Sequence, residues 1–437
     1  MDTRTLQSRS APSLGAHRRL RVGVLVDLPL GAGAGGHVRC WERLADAARD
    51  FSDELDLTVH FMGTESACRD LSETVHYRIE APVFSTSRLP FLSHVPDHTD
   101  LAPFHPRLAR QLPGYDVIHT TDAYFAYART AMKVARRRDI PIVNSIHTNT
   151  PEYARLFTAQ TIERLFGDTF VSSVLLSRLQ VAQRMERRML RQLVNYQRQC
   201  AYALVSRPDQ LDSTRATMNG RVGLLRRGID RATFHPARRD RAWLAERHGI
   251  PPERLTILAA GRLNRGKNIL LLAEAVAMLI DRGVDAHLVC AGDGEDRAAV
   301  MAQLGPRATC PGSVAPEELA RLYASADLFA LPSRIEESAN VLLEALASGL
   351  PVLVARDSGM GRAVRENETG VLLPGNDSNA WSQALRDLAE RPATRLAMSH
   401  AARDYAESDV PSWQDVLAQD LLPHWQEAAR HRHRNAA

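Results

Sequence analysis

The stretch LTILAAGRLNRGKNILLLAEAVAMLIDR, Leu255 to Arg282, decides the fold. Leu255 to Ala260 is a short apolar run of the kind found in buried parallel strands. Gly261-Arg-Leu-Asn-Arg-Gly-Lys267 interrupts it as a turn, and Asn268 to Arg282 has the pattern of a helix. Strand, turn and helix in this order form the repeating unit of a doubly wound α/β sheet. Downstream, Ala286 to Ala291 reads as a strand ending in Gly292-Asp-Gly294, and Asp327 to Leu331 and Pro351 to Ala355 read as two more.

The same pattern occurs upstream. Arg21 to Asp27 (RVGVLVD) is an apolar, β-branched strand, followed by the turn Gly31-Ala-Gly-Ala-Gly-Gly36 and a helix from His37 to about Arg49. Leu57 to Met62, Asp116 to His119, Pro141 to His147 and Ala201 to Ser206 complete this series. Two successive βα series predict two Rossmann-like domains. Residues 1–19 are expected to be a disordered tail, 20–220 one domain, 221–411 a second, and 412–430 a helix returning to the first.

Composition removes several classes. With 44% hydrophobic and 24% charged residues in 437, the chain is neither fibrous nor wholly disordered. The most apolar stretch, Ile269 to Ile280, is too short to cross a bilayer and carries Glu274. The Arg-, Ser- and Thr-containing start lacks the apolar core of a secretory signal. Five scattered cysteines fit reduced cytosolic thiols better than a disulfide or zinc scaffold, and a net charge of +4 is too mild to imply nucleic acid.

The Gly31–Gly36 turn formally satisfies GxGxxG through Gly31, Gly33 and Gly36, a pattern that lets amides approach a phosphate. It is weak evidence for a dinucleotide, because only Glu65 stands where a ribose-binding acid would be needed. A sharper signal joins Gly261–Lys267 to Pro332-Ser-Arg-Ile-Glu-Glu-Ser-Ala-Asn-Val-Leu-Leu-Glu-Ala-Leu-Ala-Ser-Gly-Leu-Pro-Val352. A helix beginning near Glu337 puts Glu336 at the loop end and Glu344 two turns in, so that one carboxylate can meet ribose hydroxyls and the other sugar hydroxyls. Arg262 and Lys267 supply the charge a diphosphate leaving group requires.

From about residue 21 to 425 these motifs, in this order, resemble the retaining GT-B glycosyltransferases of family 4. Ala291-Gly-Asp-Gly294 and Arg227-Gly-Ile-Asp-Arg-Ala-Thr-Phe-His-Pro236 also match, and His147-Thr-Asn-Thr-Pro-Glu-Tyr153 is similar to a stretch of the lipid-glycosylating members. The resemblance implies a GT-B fold and transfer of a sugar from a nucleoside diphosphate sugar to a hydroxyl acceptor, a membrane lipid or glycan, with retained anomeric configuration. It implies that Glu344 binds the ribose, Glu336 the transferred sugar, and Arg262 and Lys267 the diphosphate. Gly35 and Gly36 would face the phosphates from the other domain, Ser338, Ala339 and Asn340 would join the donor site, and His147 would stand beside the reacting centre. Trp413 and Trp425 would anchor the returning helix.

No Asp-x-Asp element is present, so no metal or other cofactor is expected, and no carboxylate nucleophile is expected opposite the donor helix. His119 is open to either core packing or acceptor contact. Arg184, Arg187, Arg188, Arg191 and Arg198 share one helical arc opposite Met185, Met189, Leu193 and Tyr196. That arc is either a solvated face or a contact for anionic headgroups, which would place a cytoplasmic protein peripherally on the inner face of a membrane. Glu337-Ser338-Ala339 departs from the glycine-containing family pattern and keeps open a binding protein without turnover; an NAD-dependent oxidoreductase built on Gly31–Gly36 is the more distant alternative.

Overall fold

The computed structural model describes residues 18–31, 34–89, 98–333 and 340–435. Among them lie two parallel-stranded sheets. The first contains β1 (Leu20–Pro29), β2 (Leu55–Met62), β3 (Ala67–Asp70), β4 (Val75–Glu80), β5 (Val117–Thr120), β6 (Ile142–Ser145), β7 (Tyr202–Val205) and β8 (Val222–Leu224). Its order is β3-β4-β2-β1-β5-β6-β7-β8, and β3, antiparallel to β4, is the exception to its parallel pairing. The second contains β9 (Leu255–Ala260), β10 (Ala286–Ala291), β11 (Ala308–Gly312), β12 (Leu328–Leu331), β13 (Val352–Ala355) and β14 (Gly370–Leu373), ordered β11-β10-β9-β12-β13-β14.

Seven helices shape the space between the sheets and the surface beside it: α1 (Gly36–Ala48), α2 (Ala126–Arg138), α3 (Thr150–Phe166), α4 (Val181–Gln197), α5 (Ile269–Asp281), α6 (Asn340–Ala347) and α7 (Leu422–Asn435). Both sheets are covered on two faces, which explains the continuous apolar runs in their central strands. Trp41, Leu44 and Ala48 of α1 pack on one face of β1 with Trp413, Leu421 and Trp425, whereas Tyr127 and Ala131 of α2 pack on the other face with Ile118. In the second domain, α5 buries Leu272, Val276 and Leu279 against Ile257 and Leu288.

The chain crosses between domains a few residues later than the pattern suggested. β8 belongs to the first sheet, with Ala203 opposite Val222, so the crossing begins after Leu224 rather than near residue 220. Met218-Asn-Gly220 is a helix end, with Asn219 in the left-handed region, and the strand follows it. The outgoing and returning chains then run together. The Ile229 amide donates to Pro411 O at 3.0 Å, and a Cβ on Gly228 would lie 2.7 Å from the Trp413 ring, so only glycine admits this crossing. The Arg226 guanidinium and amide both reach the buried Asp420 carboxylate, at 2.7 and 2.8 Å.

The return helix begins at a capping box, in which Ser412 accepts from the Asp415 amide and Asp415 accepts from the Ser412 amide. It continues through Trp413–Val416 and Leu417–Leu421 into α7, and Trp413 and Trp425 are both buried in the core of the first domain.

Candidate functional site

In an open parallel sheet, ligands sit beyond the carboxyl ends of the strands where the winding reverses. Here the reversals fall between β1 and β5 in the first sheet and between β9 and β12 in the second. The loops leaving β1, β5 and β9 line a single inter-domain cleft of about 1070 Å³. Gly35, Gly36, His147, Arg262, Lys267, Asn340 and Glu344 all line it, although they come from four well-separated stretches of chain.

On the donor side the two glycine turns interlock. A Cβ on Gly292 would lie 1.9 Å from Gly261 O and one on Gly294 would lie 2.2 Å from Leu263 O, so the Gly292-Asp-Gly294 turn packs backbone to backbone against Gly261-Arg-Leu263. Asn264 accepts from the Lys267 amide at 3.1 Å, and Ser333 donates to Gly266 O at 3.0 Å, closing the turn that carries both cations.

Glu344 on α6 is held by the Tyr323 hydroxyl, which donates to Oε2 at 3.1 Å. Burial pushes its carboxyl up to about 7, against the opposing pull of Arg43 and Arg39. A half-satisfied, half-buried carboxyl of this kind is poised to accept further hydrogen bonds. Asn340 donates across the cleft to Gly36 O at 3.4 Å. Glu336, Ser338 and Ala339, with Glu337 and Gly33, lie outside the described residues.

His147 is 6% exposed, forms part of the cleft wall and stacks on His37 with ring centroids 4.4 Å apart. Arg227 reaches its Nδ1 at 3.0 Å, and Ser145 Oγ lies 2.7 Å from Nε2. A guanidinium and an indole N–H only donate, and Trp41 Nε1 lies 3.3 Å from Nε2, so both ring nitrogens face donors. Burial first, then the charges of His37 and Arg227, hold the ring well below the ordinary histidine range, so it is neutral. With both nitrogens engaged, His147 is suited to shape and order the wall more than to carry protons. Along the chain Arg227 belongs only to the linker motif, and no local pattern marks it as a partner of a histidine 80 residues away.

One open reading is decided and one expectation is corrected. His119, open between core packing and acceptor contact, is packed: it is 0% exposed, its Nδ1 accepts from Trp425 at 2.9 Å, and its Nε2 lies 2.8 Å from Ser145 Oγ. The cause is tertiary, because the returning helix covers the end of β5. Nor is the wall opposite the donor helix free of carboxylates. Asp27 at the end of β1 and Asp122 after β5 both line the cleft, as does Tyr124. Burial and the neighbouring Asp122 charge raise Asp27 well above the carboxylate range, and burial raises Asp122.

Glu65, the acid a dinucleotide site would need, is exposed and outside the cleft lining. Arg184, Arg187, Arg188 and Arg191 of α4 line a separate open groove, where Arg129, Lys133 and Arg136 of α2 join them. Met185 and Met189, on the other side of α4, line the inter-domain cleft with Tyr153 and Phe157 of α3. Phe166 at the end of α3, and Phe170 and Val171 between these helices, are exposed, Phe170 by 83%.

Two Rossmann-like domains facing across a cleft, joined by a returning C-terminal helix, define the GT-B fold that the motifs implied. Residues 254–391 match the family model Glycosyl transferases group 1. The chain is 34% identical over 212 residues to a D-inositol 3-phosphate glycosyltransferase of Corynebacterium glutamicum, covering 46% of this chain and 50% of that protein. It is 27% identical over 341 residues to one of a Nocardioides species, covering 72% and 68%. The chain thus spans about half the length of the first of these relatives. Among solved structures, Anabaena HepE in complex with UDP-glucose superposes with a TM-score of 0.64 at 17% identity, over 95% of this chain and 100% of that one. WaaG, a glycosyltransferase involved in lipopolysaccharide biosynthesis, gives 0.60 at 16%, over 94% and 99%.

Proposed function

We propose that this protein is a metal-independent, retaining glycosyltransferase that moves a hexosyl group from a nucleoside diphosphate sugar to a hydroxyl of a lipid-linked acceptor at a membrane surface. The observation that carries the reading is the convergence of Arg262, Lys267 and Glu344 on one cleft wall, with Gly35 and Gly36 opposite. The carboxylate accepts from the ribose hydroxyls, the two cations meet the diphosphate, and the Gly35-Gly36 turn lets the backbone approach it closely. On the motif, Glu336 takes hydroxyls of the transferred sugar.

As the bond between anomeric carbon and diphosphate oxygen lengthens, negative charge grows on that oxygen, and Arg262 and Lys267 stabilise it most at the transition state. The acceptor hydroxyl attacks from the face the diphosphate leaves, its proton passing to the departing oxygen, so the configuration is kept without a covalent enzyme intermediate. A lipid-linked acceptor is supported by the apolar side of α4 and α3 in the cleft, by the exposed Phe170, and by the seven cations of the neighbouring groove. No described helix is long and apolar enough to cross a membrane.

The test is a panel of nucleoside diphosphate sugars offered with lipid and glycan acceptors, read by mass spectrometry, with NMR of the product for anomeric configuration. Transfer with retention to a lipid acceptor is expected. Absence of both nucleotide binding and transfer would end the reading; nucleotide binding without turnover on any acceptor would favour a binding protein. Vesicle binding that falls with salt and on Arg187→Glu and Arg191→Glu tests the membrane contact, and equal binding to neutral and anionic vesicles would remove it.

A further inference from the structure

We infer that Asp27, Asp122 and the hydroxyl of Tyr124 form a subsite for the hydroxyl groups of an uncharged polyol, and that this subsite selects the acceptor against phosphorylated alternatives. The inference deepens the glycosyl-transfer reading and rests on it for the identity of the polyol as acceptor.

The two aspartates stand where the first sheet reverses, at the ends of its two central strands. Asp27 Oδ2 accepts from the Tyr127 amide in the first turn of α2 at 3.0 Å, and its Oδ1 from the Asp100 amide at 3.4 Å. Asp122 Oδ1 takes the amides of Tyr124 and Phe125, at 2.6 and 3.0 Å, which leaves its Oδ2 without a partner among the described residues. The Asp122 backbone is itself fixed, since Asn144 Nδ2 donates to its carbonyl at 2.9 Å. Neither acid is in an ion pair among the described residues. A third acid, Asp100, is fully buried and takes the amides of Val83, Phe84 and Ala102; it locks the loop beside the site.

An independent observation comes from Tyr124. Its ring is 3% exposed and lines the same wall, yet its hydroxyl has no hydrogen-bond partner among the described residues. Buried phenols are normally paired, and an unpaired one in a rigid wall beside two acids marks a place where a ligand supplies the partner. Burial and the Asp122 charge raise the phenol, which keeps it a donor.

The chemistry of this trio fits alcohols. Burial and the Asp122 charge push Asp27 toward its protonated form, so the pair offers a donor beside its acceptors, as each hydroxyl of a polyol demands. A phosphate offers acceptors and negative charge only. Against Asp27 and Asp122 it meets repulsion, and the guanidinium whose charge Asp122 feels, Arg129, is tied to the carbonyls of Leu101 and Ala102. The relatives named for D-inositol 3-phosphate therefore make a direct contrast.

The experiment measures binding, not turnover. Saturation-transfer NMR on the full chain with UDP present compares myo-inositol with D-inositol 3-phosphate. The wild type is expected to take myo-inositol at least about tenfold more tightly. Tyr124→Phe should weaken myo-inositol by about tenfold, the scale of one hydrogen bond, without lowering the melting temperature, because only an unpaired hydroxyl is removed. Asp122→Asn should narrow the discrimination against the phosphate. UDP affinity should stay unchanged in both variants, and loss of UDP binding in the wild type would count against the glycosyl-transfer reading instead. Tighter binding of the phosphorylated cyclitol by the wild type, or unchanged myo-inositol binding by Tyr124→Phe, would overturn the subsite.

Discussion

A Cβ on Gly35 would stand 3.0 Å from a terminal nitrogen of Arg262, so the glycine turn of one domain and a cation of the other meet across the cleft. Nothing in the backbone conformation of Gly35, with φ of −73°, requires glycine. The contact does. A side chain here is expected to push the guanidinium from its place while leaving the fold intact. Gly35→Leu should lower kcat by about tenfold or more, the scale of a displaced charge-stabilising donor, with circular dichroism and melting temperature unchanged. Full activity in a folded Gly35→Leu protein would contradict it.

Removing the charges themselves should cost more. Arg262→Ala and Lys267→Ala are each expected to cut kcat by roughly a hundredfold, with a smaller effect on donor affinity, because their interaction strengthens as the diphosphate departs. Transfer should survive EDTA. Near wild-type transfer by the double variant, or loss of transfer in EDTA that a divalent ion restores, would refute the assignment.

Glu344 makes nucleotide affinity depend on pH. Its carboxyl titrates at about 7 in the free protein, and a carboxylate accepting two ribose hydroxyls must be ionised in the complex. The free state therefore holds the proton more tightly than the bound state, and binding releases it below pH 7. Nucleoside diphosphate affinity should be flat above pH 8 and fall toward about tenfold per unit below pH 6. Calorimetry in buffers of different ionisation enthalpy should register the proton at pH 6. Glu344→Gln should flatten the profile; a profile unchanged by that substitution would exclude Glu344 as its source.

Trp425 ties the last helix to the first domain by a fully buried ring and by its bond to His119. Trp425→Ala should destabilise that domain by about 3–5 kcal/mol. Differential scanning calorimetry should separate an earlier first-domain transition from an unaltered second one. A single unshifted transition would mean the helix packs without this anchor.

Much of this protein was legible along the chain. The apolar runs at Val22–Val26 and Ile257–Ala260, each followed by a glycine turn and an amphipathic helix, determine the strand–turn–helix units, because burial on both faces demands continuous apolar strands. Arg262, Lys267 and Glu344 were legible too, since each sits at a fixed offset from a turn or helix start. The strands β3, β4, β8, β11 and β14 were not, because runs of three to six residues are too short to carry a decisive period. What tertiary structure alone decided is which strand ends meet. It covered His119 with the returning helix, set Arg227 against His147, and brought Asp27, Asp122 and Tyr124 to one wall. No local pattern records these encounters: they arise from the order of strands in the sheet and the path of the last helix, which are settled by packing between residues as far apart as His119 and Trp425.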